Sequence, residues 1–168
     1  MGSIFRSKKG NAVLDTAVLL GIAFLFILFA IVSKVVLSDL NADIQADDSM
    51  DSQAKEVVSS QNDSFGALFD NGFLMVFVFA WILMLVAGFM SDTHPVFFVV
   101  TLIFLIFVFI VASIIGNVYE EIIADESFAT AALSFPKSHW VMTHTLQTAI
   151  VVGFSLAIVL FAKKGVTG

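Results

Sequence analysis

The chain has no cysteine. Disulfides, thiolate chemistry and cysteine-held metals are therefore excluded. Charge is scarce as well. Lys and Arg together number 8, and charged residues make up 13% of the 168. Basic residues so few and so scattered exclude the electrostatic footprint of a nucleic-acid-binding protein. Proline occurs twice and tyrosine once. Apolar residues fill the space instead. They make up 59% of the chain, 19 of them phenylalanine, and the mean hydropathy is +1.00. A water-soluble single domain of this size could not hide that much apolar surface. A bilayer supplies the missing apolar solvent.

Four apolar runs stand out, at 12–37, 72–90, 96–118 and 141–162. Asp15 and Lys34 interrupt the first near its two ends. Each run approaches or exceeds the roughly 20 residues that cross a hydrocarbon core of about 30 Å. Backbone in lipid must satisfy its own hydrogen bonds, so the runs are predicted to be helices despite their β-branched and aromatic content. The expected fold is all-α, an integral membrane protein with four transmembrane helices.

The segments between the runs differ in charge. Residues 1–11 form a basic N-terminal segment with Arg6, Lys8 and Lys9, and 163–168 form a basic tail with Lys163 and Lys164. Residues 38–71 carry Asp39, Asp43, Asp47, Asp48, Asp51, Glu56, Asp63 and Asp70 against Lys55 alone. Residues 119–140 carry Glu120, Glu121, Asp125 and Glu126 against Lys137. Positive charge marks the cytoplasmic side, which places both termini there and both acidic loops outside. Tyr119 and Trp140 then fall at the outer ends of spans three and four, as interface anchors of an aromatic belt. Residues 91–95 are so short that spans two and three are predicted to form a tight helical hairpin, with Pro95 in the first turn of span three.

Local pattern refines the loops. Leu37, Leu40 and Ile44 continue a helical spacing beyond span one, and Ala54, Val57 and Val58 resume it. A helical extension, a second short helix and a flexible link at 60–64 are expected. In the second loop Ile122, Ile123, Phe128, Leu133 and Phe135 suit a segment lying in the membrane interface, ended by Pro136. No small-x-small cleavage site stands out before Ser38, so span one is expected to be retained.

Lys8-Lys9-Gly10-Asn11-Ala12-Val13-Leu14-Asp15, with the long apolar helix that follows, resembles the N-terminal signature of type IV pilins and archaeal class III signal peptides. In that family basic residues and a glycine precede the cleavage point, and an acid stands five residues after it. The likeness covers 8–37 and implies a role for Asp15 in subunit packing. The three further spans depart from the single membrane helix and soluble head of a pilin.

Polar residues inside the spans are the remaining candidates. Asp15 is shallow, where an ionised carboxylate costs less than the roughly 2.5–3.5 kcal/mol of the bilayer centre. Asp15 is expected to reach the headgroups or to form an inner-face ion pair with Lys163 or Lys164. His144 and Thr148 on span four lie level with Ser113 and Asn117 on span three, which predicts a hydrogen-bonded knot joining those helices. His139 and His144 diverge by about 140° on a helix, so they do not form a metal pair. Asp47 to Asp51 lacks the glycine and terminal glutamate of a calcium loop. No catalytic residue, cofactor or metal site is expected.

The predicted function is that of a structural or assembly protein of a larger membrane complex. The architecture resembles small integral proteins of membrane-containing viruses and accessory subunits of membrane complexes. Its expected partners are the lipid bilayer and other membrane or capsid-type subunits, met through the acidic loops as an oligomer or complex member. Its expected location is a bacterial or archaeal inner membrane or a viral internal membrane. A holin-like membrane-permeabilising protein and a pore-forming channel subunit are the alternatives.

Overall fold

The computed structural model describes residues 12–90 and 95–166, all in helices and short turns. The helices are α1 (Ala12–Ala46), α2 (Ser52–Met90), α3 (Pro95–Ile122), α4 (Glu126–Ala132), α5 (Pro136–Thr143) and α6 (Thr145–Val166). Four of them, α1, α2, α3 and α6, contain stretches long and apolar enough to cross a membrane.

Buried positions recur mostly at steps of three, four and seven. On α1 they are Thr16, Leu20, Ala23, Ile27, Ala30, Ile31 and Lys34. On α2 they are Gly66, Asp70, Phe73, Phe77, Met84 and Gly88. This spacing, close to 3.5 residues, gives each helix a single packed seam and leaves the rest of its surface outward. Leu25, Phe29, Phe79, Ile103, Phe107, Ile158 and Phe161 are all exposed on that outer surface. Alanine and glycine recur along the seams, as close helix approach without a hydrophobic driving force requires. Ala112 and Ala149 are fully buried, and Gly116 lies against Thr145.

Helices α1 and α6 occupy the middle of the bundle. α2 packs on both of them, and so does α3. The tight hairpin expected of α2 and α3 is therefore not a packed pair. The two are consecutive in sequence yet lie across the bundle from each other. Each has its apolar seam filled by α1 and α6.

α1 and α2 are antiparallel and, at 35 and 39 residues, longer than a span requires. At 1.5 Å per residue they extend roughly 52 and 58 Å against a core of about 30 Å. The excess forms a two-helix projection at one end, here called the upper end. The link expected at 60–64 is helix instead. One cause is visible: Asn62 is bonded to Lys34 and Ser38 of α1. Tertiary contact sustains a helix that its polar sequence alone would not.

α4 and α5 pack at the base of this projection, against α1 and α2. The interfacial segment expected here is partly internal. Phe135 is completely buried and Phe128 packs on the core, whereas Leu133 stays exposed. Pro136 stands at the start of α5, where its missing N–H costs nothing. The run expected as one helix from Val141 is broken at His144, which ends α5. The polar run 143–145 explains the break. Thr143 Oγ1 donates to the His139 carbonyl at 3.0 Å, and Thr145 Oγ1 donates to that of Met142. Such back-bonding competes with the backbone ladder and bends helices.

Gly66 sets how closely α2 meets the α4–α5 turn. A Cβ there would lie 2.6 Å from the Ser134 carbonyl oxygen. Gly66→Ala must force backbone apart, and it is expected to destabilise by roughly 1–3 kcal/mol in detergent thermal unfolding. Gly72→Ala is the control. Its Cβ would meet nothing within 4 Å, and it is expected to be neutral or stabilising.

Candidate functional site

The polar side chains buried in the bundle form ties between helices, concentrated at the upper end. The most connected is Asp70, 3% exposed on α2. Its Oδ1 accepts from the Ser138 amide and the Ser138 hydroxyl, both at 2.7 Å. Its Oδ2 accepts from the Lys137 amide at 3.1 Å. Lys137 Nζ donates to the neighbouring Asn71 Oδ1. Lys137 and Ser138 are the second and third residues of α5, whose first turn leaves amide protons unpaired within the helix. The residue that should cap them is Phe135, which has no side-chain acceptor. Asp70 supplies the acceptor from another helix, and its charge suits the positive end of the helix dipole. α4 is capped locally by contrast, with Asp125 accepting from the Ser127 amide at 2.9 Å.

A second tie joins α1 to α2. Lys34 Nζ donates to the Asn62 carbonyl at 2.6 Å and to Asn62 Oδ1 at 2.9 Å, and Ser38 Oγ donates to the same Oδ1 at 3.2 Å. A third joins α3 to α5: the hydroxyl of the fully buried Tyr119 lies 2.9 Å from His139 Nδ1. His139 is held below the ordinary histidine range, chiefly by burial and also by the nearby His144. At the tip of the projection, Asp47 Oδ1 accepts from Ser49 Oγ and the Ser49 amide, and these two bonds keep its carboxyl below the usual range.

Two further contacts lie deeper. Trp81 Nε1 on α2 donates to Ser155 Oγ on α6 at 3.0 Å, and Ser155 passes its own proton to the Val152 carbonyl at 2.7 Å. Thr16 Oγ1 on α1 lies 3.2 Å from Met84 Sδ on α2. Among the described residues no buried side-chain nitrogen or oxygen lacks a partner.

The residues singled out from sequence fall differently. Ser113 and Thr148 are half-buried and Asn117 is exposed, and no side-chain hydrogen bond joins them to one another or to His144; Thr148 meets His144 only through its backbone amide, which donates to the His144 carbonyl at 2.9 Å. The break at His144 is the reason. Its Nδ1 folds back to the Trp140 carbonyl, 3.0 Å away within the same helix turn. α3 and α6 are instead held by small-residue packing at Ala112, Gly116 and Ala149. Tyr119 is an internal hydrogen-bonding residue, not a belt anchor. Trp140 is exposed, with its ring stacked on His144 at 4.8 Å. The side chains of Asp15, Lys163 and Lys164 lie outside the described residues.

Sequence reasoning missed Asp70, Ser138, Asn62 and His139 as contact residues. One signal was present for the first. A Phe-Pro pair opening a helix has no capping side chain of its own, and a lone acid at the edge of an apolar run needs donors.

Asp70→Ala strands two amides and a buried hydroxyl. It is expected to cost roughly 2–4 kcal/mol in detergent unfolding, with Asp70→Asn costing less and Ser138→Ala about 1 kcal/mol. Equal stability of Asp70→Ala and the parent chain would contradict the capping role.

Compared with protein-family models, curated proteins and solved structures, the chain matches none, so its function rests on these contacts and on the faces they leave free.

Proposed function

We propose that the chain is a non-catalytic structural or assembly protein of a larger membrane complex, such as that of a cellular inner membrane or a virion. Its four long apolar helices cross the bilayer, and both termini are cytoplasmic. The upper end, with the α1–α2 projection, α4 and α5, faces the opposite side. The basic residues near the two termini support this direction under the positive-inside rule.

The observation that carries the reading is how the polar groups divide. Those buried among the described residues are consumed in bonds between or within helices, leaving none aimed into a cavity. The groups left exposed are concentrated on the projection, which carries Asp39, Asp43, Asp48, Asp51, Glu56 and Asp63 and an open groove of about 790 Å³ lined by Glu56, Asp63, Gln45, Lys55 and several serines. A bundle built this way presents an acidic surface at its upper end. Partner subunits with complementary positive charge would meet that surface.

Mild-detergent extraction from the native membrane is expected to recover the chain in a stoichiometric assembly, whose partners dissociate as salt is raised. A detergent-stable monomer without partners would contradict the proposal. So would abrupt loss of membrane potential on expression in a bacterium.

A further inference from the structure

The projection closes along one seam of polar contacts. Lys34 and Ser38 of α1 meet Asn62 of α2. Nearer the tip, Gln45 Nε2 donates to the Lys55 carbonyl at 2.9 Å, and Lys55 Nζ donates to the Gln45 carbonyl at 3.0 Å. A second seam runs beside the first. On α1 it is Leu37, Leu40 and Ile44, each one residue before 38, 41 and 45 and so turned about 100° from them. On α2 it is Val57, Gln61, Ser64 and Leu68, at steps of four, three and four. Leu37, Gln61, Ser64, Phe65 and Leu68 line one groove of about 380 Å³, so the two rows border the same side of the hairpin.

This second seam is open. Leu40, Val57 and Leu68 are 49%, 60% and 71% exposed, so no described helix covers them. In the proposed arrangement the apolar run of α1 ends at Leu37 and that of α2 begins at Gly72, which leaves Leu40 and Val57 in water. Val57 stands roughly 22 Å above Gly72 at 1.5 Å per residue, so acyl chains reach only the lower end of the groove. Aligned apolar side chains exposed to water and rimmed by polar ones mark an interaction site. Two antiparallel helices with 3–4 rows facing one side offer a third helix the holes for its own apolar row. From Val57 to Leu68 the row spans about 16 Å, or three turns.

Charge decides the occupant. Between residues 38 and 64 seven carboxylates stand against Lys55 alone, and its ammonium is turned onto Gln45. Asp43 follows Leu40 by three residues and shares its side of α1. A second copy of the chain would bring an equal set of carboxylates against these, and like charges oppose that pairing. A helix flanked by Lys and Arg gains from the same field. We infer that the second seam docks a basic amphipathic helix of a partner subunit, its apolar row in the Leu37–Leu68 groove and its cations beside the carboxylates. This names the partner of the acidic surface and rests on the assembly reading above.

Binding to the full chain in phosphatidylcholine nanodiscs tests the inference. The probe is a synthetic two-heptad helix with leucine at a and d and lysine at e and g. Saturable binding above that of chain-free discs is expected, and it should fall as salt is raised from about 0.05 M to about 0.5 M. Leu40→Gln and Leu68→Gln should each weaken it about tenfold. Both side chains are exposed, so neither variant disturbs the bundle. The same helix with glutamate at e and g should not bind. Equal binding of the glutamate probe would overturn the inference, as would binding unmoved by the two glutamine variants. Homodimers trapped through Leu40→Cys by a short bismaleimide in the native membrane would give the groove to a second copy and overturn it equally. A partner-free monomer in the native membrane sinks both readings. A recovered assembly in which Leu40→Cys reacts with maleimide as fast as in the isolated chain sinks the docking site alone.

Discussion

α5 opens with a phenylalanine and a proline, neither of which can satisfy the amides of its first turn. The Ser138 amide is buried and the Lys137 amide partly so, and an unpaired buried donor costs about as much as the whole net gain of a hydrogen bond or more. The carboxylate of Asp70 resolves this from α2, a helix more than sixty residues away in sequence. The bond fixes where α5 sits and, through the α4–α5 turn, how Ser134 meets Gly66. It also places His139 beneath Tyr119, which joins α3 to the same point. Two of the four long helices, α2 and α3, are thus tied to one short helix at the upper end, and the position of α6 follows because α5 runs into it.

Within the spans the same economy holds on a smaller scale. In the proposed bilayer setting there is little hydrophobic force between helices, so packing and a few polar contacts hold them together. The bundle uses a seam of alanine, glycine and branched aliphatics at 3–4 spacing, with Trp81–Ser155 and Thr16–Met84 as deeper contacts. Such bonds contribute about 0.6 kcal/mol each on average. Shape complementarity therefore carries most of the stability, and the polar contacts set register. Lys34 illustrates this, since its ammonium fits only where Asn62 faces it.

The legible and illegible parts of this fold divide along physical lines. The four long apolar runs could be read as helices because run length in a lipid-like composition overrides local propensity. Which face of each helix is buried could not. Phe73 and Phe77 are core while Phe79 is outside, and nothing in their chemistry distinguishes them. Loop length misled as well. A short connection suggests neighbours, yet α2 and α3 are separated by α1 and α6. The polar knot expected from Ser113, Asn117, His144 and Thr148 assumed a straight fourth helix, and the Thr-His-Thr sequence at 143–145 breaks it. Asp70 was harder to read for a different reason, because two of its three donors are backbone amides, which every sequence contains.

The absence of cysteine makes the central claim directly measurable, since every introduced thiol is the only one present. In sealed native vesicles or intact cells, Ser49→Cys at the tip of the projection and Leu133→Cys on the α4–α5 turn are predicted to react with a membrane-impermeant maleimide from outside. Ser3→Cys and Thr167→Cys should react only after the membrane is opened. Labelling of a terminus and of Ser49→Cys from the same side would contradict the four-span arrangement.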